Sequence, residues 1–99
     1  MIKHHFSAGV YVREMTLERD HEVTTHAHTY DHFGLLGTGS AVIEVDGELT
    51  VHHAPAVIEI KAGKAHRIQA LTDITWFCIH ATDTADPEQI DEVLIRRGE

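Results

Sequence analysis

The chain carries one cysteine, two prolines and eight Lys or Arg side chains in 99 residues, and each shortage excludes something. Cys78 alone cannot form an internal disulfide, so the fold does not rest on an oxidised scaffold. Sixteen Asp and Glu outnumber the basic groups, which gives a formal net charge of −8 with His neutral. A surface of that sign repels phosphate backbones, and Arg96-Arg97 is an isolated basic pair. The expectation is therefore no nucleic-acid partner. No apolar run is long enough to span a bilayer, and MIKHHFSAGVYVRE lacks the apolar core of a signal peptide. These absences point away from a membrane and toward the cytoplasm. The length suits one domain over residues 1–99.

What is abundant is histidine, with ten copies. Composition cannot say whether they converge, but position along the strands can. Val10 to Glu18 reads as a strand, with Tyr11, Met15 and Leu17 on one face. Val23 to His28 is β-prone because Thr24 and Thr25 are stiff at χ1. Phe33 to Leu36 is a third strand, followed by a turn at Gly37 and Gly39. Ala41, Ile43 and Val45 then alternate with Val42, Glu44 and Asp46 up to Asp46-Gly47, a two-residue hairpin signal. Leu49 and Val51 open the return strand. Ala56 to Ile60, His66 to Ala70 and Ile74 to Ala81 complete the set. Asp86-Pro87-Glu88-Gln89 has the spacing of a helix start, with Ile90, Val93 and Leu94 on one face. Seven or eight short strands and one late helix predict an all-β antiparallel barrel or jelly roll.

His26 and His28 lie two apart on a β-prone stretch and so share a face. His32 follows beyond a short connection, and His66 heads an apolar face with Ile68 and Ala70. Neutral imidazoles bind divalent iron, manganese, nickel, copper or zinc, and four of them leave two octahedral positions open. The candidate metal ligands are His26, His28, His32 and His66.

The segment from His26 to Gly39 resembles the first cupin motif, in which HxH is followed by a glutamate and later a glycine. His32 stands where that glutamate usually stands. Gly63-Lys64-Ala65-His66 resembles the second motif, with Lys61 at its proline position and Ala70 at its asparagine position. The closest resemblance is to small four-histidine cupins that carry manganese or iron. It implies a cupin-type double-stranded β-helix with the metal near its centre, commonly a homodimer. Manganese or iron is the favoured cofactor, with zinc, nickel or copper as alternatives. It does not fix the reaction. A dioxygenase acting on a small anionic or chelating molecule is the leading expectation. A redox-neutral isomerase or lyase and a non-catalytic ligand-binding module are the alternatives.

An all-histidine set leaves the ion its full charge, which favours anionic chelators. On the last strand Trp76, Cys78 and His80 share a parity. If that face points inward, His80 is the candidate catalytic proton carrier. Tyr30, Phe33, Trp76 and Cys78 are the candidate pocket residues. Phe77 and Ile79 are equally apolar on the opposite parity, so the strand's orientation stays open. His4, His5, His21, His52 and His53 read as surface or edge residues.

Overall fold

The computed structural model describes residues 2–25 and 31–81. Nine strands form among them. They are β1 (Ile2–Ser7), β2 (Val10–Leu17), β3 (Glu22–Thr25), β4 (His32–Thr38), β5 (Ser40–Val45), β6 (Glu48–His53), β7 (Ala56–Ile60), β8 (His66–Ala70) and β9 (Ile74–Ala81). One sheet has the order β1-β2-β9-β4-β7 and the other β3-β8-β5-β6. Every pairing is antiparallel. The expected late helix lies outside the described residues.

Period-two alternation decides which side chains meet between the sheets. Strand β9 buries Ile74, Trp76, Cys78 and His80 and leaves Thr75, Phe77 and Ile79 half-buried on the other face. That settles the ambiguous parity. Strand β8 likewise buries His66, Ile68 and Ala70, with Arg67 and Gln69 exposed. Leu36, Ala41, Ile43, Ile68, Ala70, Ile74, Trp76 and Cys78 form one core fed by both sheets. Met15 and Leu17 pack against it.

The β5–β6 hairpin turns at Asp46 (φ 53°) and Gly47 (φ 81°), and Val45 faces Glu48 across it. Two successive positive φ values match the right-handed twist of the flanking strands. Strand β1 is the element the sequence pattern does not announce. Its side chains are exposed except for the half-buried Phe6, so no apolar alternation marks it. It is held as an edge strand by pairing with β2 from Ile2↔Met15 to Ser7↔Val10.

Candidate metal centre

Three buried histidines terminate inward rows of core side chains. His32 begins β4, ahead of the buried Gly34 and Leu36. His66 begins β8, ahead of Ile68 and Ala70. His80 comes late in β9, after Trp76 and Cys78. Strands β4 and β9 run antiparallel with Phe33↔Ile79 and Gly34↔Cys78 in register, so the next step along places His32 beside His80. The imidazoles therefore gather toward one end of the barrel, while Leu36, Ile74 and Ala70 fill the space farther along the same rows.

The ring of His32 lies 4.4 Å from that of His80, nearly parallel at 24°. Its distance to the His66 ring, which comes from the opposite sheet, is 6.4 Å. With a metal–nitrogen distance of about 2.1 Å, two ring centres on one ion stand roughly 4.5 Å apart when adjacent and about 6.4 Å apart when opposite. The His32–His80 and His32–His66 spacings fall at the two ends of that range, and the buried imidazoles are donors suited to a divalent ion.

Cys78 joins this group. Ligand atoms of His32, Cys78 and His80 all lie within 4.8 Å of one another, and all three residues are buried. The Trp76 indole N–H donates to Cys78 Sγ at 3.2 Å. Burial pushes the Cys78 thiol up from its usual range, against the smaller pull of the Trp76 hydrogen bond and the Arg13 charge.

His26, His28 and Tyr30 lie outside the described residues. The described chain pauses at Thr25, paired with His66, and resumes at Asp31 beside His32. Trp76 is a fully buried core residue whose ring lies 6.5 Å from that of His66. Phe33 has the opposite parity to His32 and is half exposed. It contributes with Val10, Ile79 and Ala81 to an open cavity of about 280 Å³ that also touches His32 and His80.

Two contributors were not read from the sequence as site residues. Tyr11 is fully buried and stacks on His80, its cross-strand partner, at 6.0 Å. Its hydroxyl contacts His4 Nδ1 at 2.6 Å and accepts from Arg13 Nε at 3.1 Å. The Arg13 donor occupies an oxygen lone pair, so the phenol proton points to His4 when that nitrogen is unprotonated. The parity of Tyr11 with Met15 and Leu17 was the signal available. Asp31 is the second contributor. Its Oδ1 accepts the Ala62 N–H at 2.8 Å, and its Oδ2 lies 3.6 Å from Lys61 Nζ. These contacts tie the start of β4 to the β7–β8 turn that leads to His66. The Ala62 hydrogen bond, helped by Lys61, holds the Asp31 carboxyl below its usual range.

Solved structures share this architecture. A cupin-superfamily protein from Desulfitobacterium hafniense superposes with a TM-score of 0.70 at 20% identity, covering 84% of this chain and 79% of that one. A cupin 2 domain-containing protein from Halorhodospira halophila gives 0.73 at 15% identity, over 93% and 73%. An RmlC-like cupin family protein with a double-stranded β-helix fold, from Methanocaldococcus jannaschii, gives 0.71 at 13% identity, over 92% and 84%. The fold is the cupin double-stranded β-helix. No family model and no curated protein matches the sequence itself. In this cupin fold the cluster sits between the two sheets, a position that excludes bulk water from the imidazoles. Among the described residues, no helix is long and apolar enough to cross a membrane.

Proposed function

We propose that this chain is a metal-dependent cupin enzyme acting on a small anionic or chelating organic molecule, as an oxygen-dependent dioxygenase using iron or manganese. His26, His28, His32 and His66 hold the ion in this reading. One observation carries it: His32 and His66 reach the barrel interior from opposite sheets, buried, with ring centres 6.4 Å apart.

A bound divalent ion would supply Lewis acidity toward a chelating oxygen anion. The protein's own groups do the rest. His80, stacked on His32, is placed to take and return a proton at a ring nitrogen. Tyr11, anchored at its hydroxyl by His4 and Arg13, limits rotation of the His80 ring. Val10, Phe33, Ile79 and Ala81 line an apolar cavity on the outer face of the sheet, at the strand ends that carry His32 and His80. The acting unit in this reading is a cytoplasmic homodimer of single-domain chains.

Elemental analysis of the purified protein comes first, followed by oxygen uptake by iron- or manganese-loaded protein with a panel of 2-oxo acids, diketones and catechols. Oxygen consumption that requires both the metal and one of these chelators supports the reading. Product formation without oxygen would replace the dioxygenase with an isomerase or lyase. Failure of every chelator to bind the loaded protein would overturn it.

A further inference from the structure

Cys78 is the chain's one sulfur nucleophile, and its surroundings are not those of a plain core residue. Two buried imidazoles, His32 and His80, bring ring nitrogens within 4.8 Å of its sulfur and of each other. The Trp76 indole N–H is directed at that sulfur from two residues earlier on β9. Arg13 stands directly across the strand pair from Cys78, in register. We propose that His32, Cys78 and His80 form a second metal position, which takes a thiophilic ion such as zinc, cobalt(II) or copper(I) and shares His32 with the four-histidine set.

Distances favour it. A tetrahedral ion with nitrogen at about 2.0–2.1 Å and sulfur at about 2.3 Å separates its ligand atoms by roughly 3.3–3.6 Å. Contraction from within 4.8 Å therefore needs about 1 Å or so of movement. Rotation about the histidine and cysteine χ angles supplies it without shifting the strands. On binding, the Cys78 S–H bond breaks, a sulfur–metal bond forms, and the proton passes to buffer. The ion keeps its oxidation state. Three protein ligands leave a fourth tetrahedral position for water or a small ligand. The donor set selects differently from the four imidazoles, because thiolate prefers zinc and copper(I) over manganese. His26, His28 and His66 take no part, so this position stands or falls separately from the four-histidine one. An ion in either position withdraws His32 from the other.

Cobalt(II) is the probe, added to the full-length chain and to Cys78→Ala, Cys78→Ser and His66→Ala. The wild-type chain should develop a sulfur-to-cobalt charge-transfer band in the near ultraviolet that saturates at one equivalent. His66→Ala should keep the band. Both Cys78 variants should lose it, and in the His66→Ala background, where the four-histidine set cannot compete, Cys78→Ala should lower cobalt affinity at least about tenfold, since removing even a supporting group around a metal costs about 10–100-fold. Thermal melts establish that the variants fold, and alanine serves if the serine hydroxyl disturbs the core. Zinc-edge X-ray absorption of the zinc-loaded chain should then show one sulfur at about 2.3 Å. Cobalt bound by His66→Ala without the band, or bound as tightly by folded His66→Ala/Cys78→Ala as by His66→Ala, overturns the proposal. Manganese titration of His66→Ala tests the four-histidine reading independently.

Discussion

Gly34 faces the barrel interior midway between His32 and Leu36, and it is pressed against Trp76. A Cβ built on Gly34 would sit 2.1 Å from Trp76 Cζ2 and 2.7 Å from Cη2. Real carbon atoms do not approach so closely, and Trp76 has no free volume to move into, being fully buried. Gly34→Ala should therefore cost at least the upper end of the overpacking range, about 3 kcal/mol. For a domain of this length that lowers the melting temperature by about 12–24 °C. The cause is steric and can be separated from glycine's conformational freedom. Gly9 sits in a turn at φ +74° with nothing within 4 Å of an added Cβ. Gly9→Ala should thus lose only the left-handed penalty, about 1–2 kcal/mol. Trp76→Phe removes the atoms that clash. The double variant Gly34→Ala/Trp76→Phe should be more stable than the sum of the two single effects by about 1–3 kcal/mol. Differential scanning calorimetry and urea unfolding measure all four proteins. A Gly34→Ala melting point within about 3 °C of wild type, or strict additivity with Trp76→Phe, would refute the packing argument.

Tyr11→Phe keeps the ring stack on His80 but removes the contacts to His4 and Arg13, and should cost about 1–3 kcal/mol by urea unfolding. An unchanged midpoint would mean that the hydroxyl anchors nothing. Asp31 has its carboxyl pKa lowered in the folded chain, first by the Ala62 N–H. Its contribution is present above the unfolded value of 3.8 and is lost as pH falls through the depressed folded value. Asp31→Asn should therefore narrow the gap in stability between pH 5 and pH 2.5, and a gap of wild-type size would contradict the role given to Asp31. Lys61 has the opposite sense, its pKa being raised first by the Glu59 hydrogen bond. Its contribution is complete below 10.5 and fades as pH rises through the folded value, so Lys61→Met should flatten the alkaline limb of a melting-temperature profile.

The legible parts of the molecule were those where one face of a strand is apolar and the other is not. The β5–β6 hairpin could be read because Ala41, Ile43 and Val45 alternate up to Asp46-Gly47, and the turn forms there with both residues at positive φ. His66, Ile68 and Ala70 share one face by period-two spacing and are buried together. Strand β9 resisted because Phe77 and Ile79 make its outer face nearly as apolar as Trp76 and Cys78 make its inner one. That outer face is only half covered, with Leu35 beside Phe77, and Phe33 and Val12 beside Ile79. Period alone cannot orient a strand that is apolar on both sides. Strand β1 left no trace because an exposed edge strand carries no inward row, and its turn at Ala8-Gly9 has a single glycine for signal. At the site, His32 and His66 were legible from spacing. The closeness of His80 and Cys78 to His32 was not, since it depends on the β4–β9 register between segments more than forty residues apart.

His32 belongs to both proposed ligand sets, so metal binding at either turns on it. Calorimetric titration of manganese and of cobalt(II) into wild-type and His32→Ala protein at neutral pH is the most direct test. The wild type should bind both ions saturably at the buried site, and His32→Ala should lose more than about 100-fold in affinity for both, beyond the 10–100-fold typical of supporting groups. Equal affinity of the two folded proteins for both ions would contradict ligation by His32.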